Sequence, residues 1–557
     1  MLILACWLPL RAQVATVEVT RPYDVNLDGI RKPAIPTSVE DSLHRFDVHF
    51  DYSIFNRPYS DLYDFTPYES IQLATVGANR APWFFTRLGT QYSPVDQGIL
   101  PSGELYLQTK SRKGFGAGFY ARHNSFFGRN GSGLDGSQLL KARRVQNTVG
   151  GEMTFDWATG ELIADVRHNL DYHKYVPVDL SGEGSDHLSS KFLASVNLNS
   201  ANKDENTVYY DVTLGYSNTR KTMSYALPDT LRLEENYLHV NGAVGASFEI
   251  HRIMVDMNIE VASYAGAHDF RIGVVELSPI YQFNRRWLDA RLGVKFGTRF
   301  GMAGEIIEPD LDLSAHSSVF PDVDIRAMII PKTLWAHAVV TGGNDLNPYS
   351  RMQDECPIVM PDSFIDFGRR QVDATFALES VIGGRLGITL EGNYTRYYNK
   401  LIFVPVLYDL PQMRTDYRDV SQLSAQGEVF WRSQDVTIGG RMRYTSNVNP
   451  EDKTRVTELP SWTGYGYFRY NFRERLIAQV ECNYRSSTSG VINVGDGLVE
   501  NYRIPSIIDM DVNINYLINK NFSVFGKVGN VLNRRNQYIP LYMEPGINFG
   551  GGICLNF

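Results

Sequence analysis

From Trp83 onward, apolar and polar residues alternate with a period of two, the pattern of a sheet whose two faces meet different surroundings. Along 508–516, Ile, Met, Val, Ile and Tyr share one face, and Asp509, Asp511, Asn513 and Asn515 share the other. Ile253, Val255, Met257, Ile259 and Val261 alternate with Asp256, Asn258 and Glu260. Leu476, Ala478, Val480, Cys482 and Tyr484 alternate with Gln479, Glu481 and Asn483, and Leu386, Ile388, Leu390 and Tyr394 with Thr389, Glu391 and Asn393. Each run is about the 9–11 residues that a tilted strand needs to cross the hydrocarbon layer. A soluble β-sandwich alternates in the same way, but so many strands of membrane length fit a closed barrel better.

The connections carry a second signal. Working back from Phe557, the pattern predicts strands over 547–557, 521–530, 507–518, 476–485, 462–472, 436–445, 422–432, 386–398, 371–381 and 335–342. Long links at 531–546, 486–506, 446–461, 399–421 and 343–370 alternate with tight ones at Asn519-Lys520, Arg473-Glu474, Ser433-Gln434 and Gly383-Gly384. Outer-membrane barrels have short periplasmic turns and long outer loops, so the tight turns and the C-terminus are expected on the periplasmic side. Earlier strands are predicted over 83–92, 103–110, 115–124, 147–157, 161–171, 190–198, 206–217, 236–247, 252–264, 271–282, 287–299 and 308–316, leaving 317–334 as a long link. The expected fold is all-β: a transmembrane antiparallel β-barrel of about 22 strands, within 20–24, an even number as in single-chain bacterial barrels.

Composition agrees. No run of 18 apolar residues offers a membrane helix, while Tyr (32), Phe (29) and Gly (47) are plentiful in the 557 residues. A net charge of −8 argues against a nucleic-acid partner. Residues 1–12 resemble a secretory signal, with cleavage expected near Ala12; no basic residue precedes the apolar run, so an earlier start is expected. Residues 13–82 carry prolines at 22, 33, 36, 58, 67 and 82, too many for helix or central strand, and read as an extended periplasmic or lumenal segment before a barrel at 83–557. The four cysteines are too sparse for a disulfide framework or a zinc site, and Cys482 and Cys554 read as small apolar strand residues.

Three stretches resemble the barrels of TonB-dependent receptors. Tyr397-Tyr398-Asn399-Lys400-Leu401-Ile402 is similar to a stretch of that family, and Asn344-Asp345-Leu346-Asn347-Pro348-Tyr349 to one of its loops. Phe525 to Asn533, with Tyr538 and Pro545-Gly546, resembles the family's last two strands. The resemblance covers about residues 280–557 and implies a 22-stranded barrel that moves a solute. It also implies a globular plug of over a hundred residues, for which 13–82 is too short, so a relative without a full plug domain is expected. Thr16, Val17, Glu18, Val19 and Thr20 resemble a TonB box, though such a run is also ordinary strand sequence.

Ile547, Phe549, Gly551, Ile553, Leu555 and Phe557 share one face of the terminal strand, which resembles the signal read by the outer-membrane assembly machinery through an open strand edge. Trp83-Phe84-Phe85, Phe126-Phe127, Tyr397-Tyr398 and Trp462 with Tyr465 and Tyr467 suit an interfacial girdle, or alternatively sugar stacking. His168 and His173 fall on opposite faces and do not share a metal. Lys141, Arg143 and Arg144 form a basic patch in an expected loop at 125–146, solvated or in contact with lipopolysaccharide phosphates. Gly116-Ala117-Gly118 and Gly550-Gly551-Gly552 mark bends or close packing within strands. No nucleophile motif points to an enzyme, and no cofactor is expected. Two functions remain: solute uptake or passage, and a non-transporting scaffold subunit binding surface lipoproteins or periplasmic partners, with membrane lipid and lipopolysaccharide as surroundings in both.

Overall fold

In the computed structural model the described residues are 83–109, 114–132, 138–177, 184–200, 208–224, 230–301, 316–406, 412–473, 475–495 and 498–557. The expected leader, the segment 13–82 and Thr16–Thr20 lie outside them. The first strands are β1 (Phe84–Ser93), β2 (Gly98–Gln108), β3 (Phe115–Ser132), β4 (Gln138–Trp157), β5 (Gly160–Pro177), β6 (Ser185–Ser200), β7 (Val208–Ser224), β8 (Thr230–Phe248) and β9 (His251–Gly266). Then come β10 (Arg271–Arg285), β11 (Leu288–Gly301), β12 (His316–Ile330), β13 (Leu334–Leu346), the short helix α1 (Tyr349–Glu355), β14 (Phe367–Ile382), β15 (Leu386–Pro405), β16 (Met413–Arg432) and β17 (Val436–Val448). The chain ends with β18 (Trp462–Phe472), β19 (Leu476–Arg485), β20 (Thr488–Gly495), β21 (Leu498–Ile504), β22 (Ile507–Asn519), β23 (Phe522–Gly529), β24 (Gln537–Ile539), β25 (Tyr542–Met543) and β26 (Asn548–Asn556).

Twenty-two of these strands form one antiparallel sheet that closes where β1 pairs with β26, from Phe85 opposite Asn556 to Tyr92 opposite Phe549. Closure pairs the backbone of both edge strands, which is what lets a sheet cross a bilayer. The two remaining pairs, β20–β21 and β24–β25, are hairpins within loops. Around the wall the outward residues are apolar: Ile253, Val319, Phe376, Leu390 and Leu423 are each more than half exposed. So extensive an exposed apolar belt suits hydrocarbon, not water. Among the described residues no helix is long and apolar enough to cross a membrane.

Tight connections share one end of the barrel. The Gly383-Gly384 turn has both residues at positive φ (60° and 66°), the backbone of a primed hairpin turn that glycine adopts without strain. At the seam, a Cβ on Gly552 would lie 1.9 Å from the Leu88 carbonyl oxygen and one on Gly550 2.2 Å from that of Thr90, so close packing is what these glycines serve.

The link expected over 317–334 is a correction: β12 occupies 316–330, while the strand expected over 308–316 lies, His316 apart, outside the described residues. Pro321 invites a break there, yet it removes only one ladder donor, and alternation runs through it from exposed Val319 to lumenal Asp322. The long links expected at 343–370, 399–421 and 446–461 are also shorter than expected, because the strands beside them run on. After an irregularity at Asn399 (φ 54°), β15 and β16 pair again from Lys400 opposite Arg418 to Pro405 opposite Met413.

The aromatic girdle holds in part. Trp83 and Trp462 are exposed on the outer surface, whereas Phe126 is buried inside the lumen and Tyr465 donates to lumenal Glu481 at 3.4 Å. Side chains at neighbouring positions of a strand point to opposite faces, so consecutive aromatics cannot all reach the interface.

Candidate functional site in the lumen

The middle of the lumen holds a cavity of about 1010 Å³ bounded by β7–β14 and by α1. Its walls interleave acids and bases. Arg291 of β11 reaches Asp256 of β9 and, at 3.4 Å, Asp322 of β12, to which Ser278 donates at 2.6 Å. Arg370 of β14 grips both carboxylate oxygens of Asp345 at 3.0 Å, Arg326 donates to Glu379 at 2.8 Å, and His337 meets Asp324 at 2.8 Å. Half-exposed pairs of this kind each contribute about 0–1 kcal/mol, so they set the polarity of the passage more than its stability. The alternation that predicted the wall places these side chains: the polar members of each run face inward.

Toward the loop end the interior changes. Residues 347–366 leave β13, cross the mouth and return to β14, carrying α1 with them. Glu235, on β8, accepts hydrogen bonds from Tyr349 N (2.5 Å) and Ser350 N (3.0 Å), satisfying first-turn donors that have no partner within the helix. Lys191 of β6 pairs with Asp354 at 2.5 Å, and Lys221 of β7 donates to the Pro357 carbonyl at 2.8 Å. On the return, Met360 N donates to Met413 O (2.9 Å) and Arg414 pairs with Asp362 (2.5 Å). Met352, Cys356, Ile358, Val359 and Ile365 are fully or almost fully buried in one cluster with Tyr175, Leu233, Tyr264 and Ile272 of the wall. Burial of this kind stabilises by about 1.5–3 kcal/mol for each large side chain, so the apolar contacts dominate the docking of this segment.

A second segment, 530–547, folds in beside it with the β24–β25 hairpin. Arg144 of β4, fully buried, donates to Tyr542 Oη at 2.7 Å and Met543 O at 3.0 Å, stacks on the Tyr542 ring at 4.4 Å, and stands 3.8 Å from Glu544. Asn130 also donates to Met543 O, at 2.5 Å, and Arg485 to Tyr538 O at 2.7 Å. Tyr542 and Tyr175 meet edge to face at 6.0 Å, which joins the two segments in one core. Together they form a lid across the loop-end mouth. Arg351 of α1 lines the cavity below, so the underside of the lid is the roof of the polar chamber.

Arg144 is therefore no part of a solvated loop: it lies in a strand, faces inward and holds the lid, while Arg143 stacks over Phe127 and Tyr172 on the other face. His168 is exposed and bonded to Ser190 at 2.9 Å, His173 is buried, and the two are on opposite faces as the spacing requires. Among the described residues no group of three ligating side chains could hold a metal. Cys482 and Cys554 sit in β19 and β26, and Cys356, in the lid, has its thiol pushed up by burial. Phe549, Ile553 and Phe557 face outward on or beside β26, with Leu555 partly covered and Ile547 just before the strand. The Asn344–Tyr349 stretch leads from β13 into the lid, and Tyr397–Ile402 spans the irregularity in β15.

No family model matches this sequence, and no curated protein does. Solved structures do match. The FrpB iron transporter from Neisseria meningitidis superposes with a TM-score of 0.62 at 10% identity, covering 85% of this chain and 81% of that one. The copper transporter OprC gives 0.62 at 9% identity over 86% and 81%, and the siderophore receptor PirA from Acinetobacter baumannii 0.60 at 10% over 86% and 81%. The chain thus has an outer-membrane β-barrel fold of the TonB-dependent receptor type.

Proposed function

We propose that this protein is an outer-membrane transport barrel that admits a polar solute through its lumen, with the lid at the outer mouth and the tight turns and C-terminus on the periplasmic side. The observation that carries this reading is the charged cavity of about 1010 Å³ directly beneath a lid anchored to β7 and β8. Interleaved acids and bases, with Met254, Met257 and Val339 among them, suit a hydrophilic passenger better than an apolar one. The structural neighbours, two transporters and a siderophore receptor, support the same reading, and Thr16–Thr20 is the stretch that would engage TonB.

The scaffold reading also draws on one observation. A lid whose core is almost fully buried is firmly docked, as a silent anchor for surface lipoproteins would need. One experiment separates the two: purify the full chain gently from native membranes, identify co-purifying proteins, and compare bilayer conductance with that of a variant lacking 349–365. Transport predicts a quiet full chain and an open, conducting variant, with uptake lost when the gene is deleted. A stable complex, with both forms silent, would favour the scaffold. We also propose that β26 is the assembly signal; replacing Leu555 and Phe557 with Asp should sharply lower assembled protein, and unchanged outer-membrane levels would refute it.

A further inference from the structure

At the rim, away from the lumenal cavity, two loops enclose a separate pocket. The loop 449–461 between β17 and β18 and the β20–β21 hairpin are tied together by Ser489 N donating to Thr457 O at 2.9 Å. Ser461 N and Trp462 N both donate to Ser486 Oγ at 3.0 Å. The cavity between them is about 330 Å³, near the lower end of the roughly 300–1,000 Å³ typical of small-molecule sites.

Its lining is chemically selective. Arg455 and Arg503 are exposed at its edge, and among the described residues neither pairs with a carboxylate. Arg455 donates only a long hydrogen bond, 3.3 Å, to Ser461 Oγ. Asn447 also lines the pocket; it is 6% exposed, and its Oδ1 has no hydrogen-bond partner among the described residues. A buried acceptor left without a donor costs about 1–3 kcal/mol, so the site is incomplete without a ligand or water that donates there. Buried Thr488 with Ser487 and Ser489 adds hydroxyls, and Val456 with Leu459 adds an apolar wall.

A bare anion would meet the guanidinium groups but leave Asn447 Oδ1 unpaired; a neutral sugar would do the reverse. We propose that this pocket binds a single acidic sugar unit, its carboxylate or phosphate on Arg455 and Arg503, a ring hydroxyl donating to Asn447 Oδ1, and its C–H face against Val456 and Leu459. Guanidinium groups suit the anionic group because they donate in parallel pairs. The same chemistry is offered by a free sugar acid and by the acidic sugars of a surface glycolipid.

The test uses the full chain in detergent, with calorimetric titration of galacturonate, galactose and inorganic phosphate. Galacturonate should bind saturably, with galactose and phosphate each at least about tenfold weaker. The double variant R455Q/R503Q should weaken galacturonate by at least about tenfold, and N447L should weaken galacturonate while leaving phosphate unchanged. Heat-modifiable migration on gels serves as the control that each variant is a folded barrel. Glycolipid that co-purifies with the native chain and is depleted from the double variant would identify the surface source; binding of galacturonate to glycolipid-free protein would identify a free sugar. The proposal is overturned if galacturonate and galactose bind equally, if the folded double variant binds as the native chain does, or if neither galacturonate nor glycolipid is retained.

Discussion

On β9 the lumenal residues Asp256, Asn258 and Glu260 give way, toward the loop end, to Ala262 and Tyr264; on β10 Glu276 and Ser278 give way to Val274 and Ile272. The mid-barrel region is a wet, charged passage, whereas the loop-end region is a packed core built by two segments folded into the mouth. Both regions are the inner face of the same strands. What differs is whether the inward residues face water or another piece of the chain, so the barrel builds its closure from its own loops.

The largest test of this contrast introduces the same charge in both places. Met352→Asp puts an unpaired carboxylate in the lid core and should cost about 4 kcal/mol, read as lost protection from hydrogen exchange over 349–356. Asn258→Asp, at the cavity wall, should cost about 0.5 kcal/mol. Equal losses would erase the distinction. Next, Arg144→Ala should release the Gln537–Met543 hairpin at a cost of about 3 kcal/mol, seen as new proteolytic cuts there, whereas Arg291→Ala in the passage should cost no more than about 1 kcal/mol. Cys356 gives a finer reading. Its maleimide labelling should be negligible in the native chain and rise about tenfold for each 1.4 kcal/mol lost from lid docking, in a background of Cys6→Ser, Cys482→Ser and Cys554→Ser. Labelling already fast in the native chain would mean the lid is open at rest.

The contrast also has a pH signature. Burial, reinforced by Asp509 and Asp96 and opposed by Arg144, holds the Glu544 carboxyl up at about 7, against 4.5 in a free chain. The docked hairpin therefore binds a proton that the released one gives up. Docking is firmest at low pH, weakens as pH rises from about 4.5 to about 7, and levels off above. Glu544→Gln should flatten that slope in hydrogen exchange of 537–543; an unchanged slope would remove Glu544 from the argument.

The wall was legible because the bilayer enforces alternation: β18 and β19 fall at the predicted bounds, Trp462–Phe472 and Leu476–Arg485. The lid was not, because its partners are brought together by closure and no local pattern links Glu235 to Tyr349 or Arg144 to Tyr542. One trace of it was present. Where strands enter the lid region the alternation stops and both faces turn apolar, as in Leu401-Ile402-Phe403-Val404 and Ile272-Gly273-Val274-Val275. Arg144 reads as solvent-facing because a charged pair inside an expected loop resembles solvated sequence, and only a fully enclosed set of partners makes such a cation inward-facing.

The glycines of β26 bear on how the molecule avoids joining its neighbours. A side chain at Gly552 or Gly550 would hold β1 and β26 apart at their carbonyls. The product would be a curved ribbon with two unsatisfied margins, each able to zip onto another copy. Two residues without side chains, Gly550 and Gly552, thus favour a self-contained ring over a growing polymer.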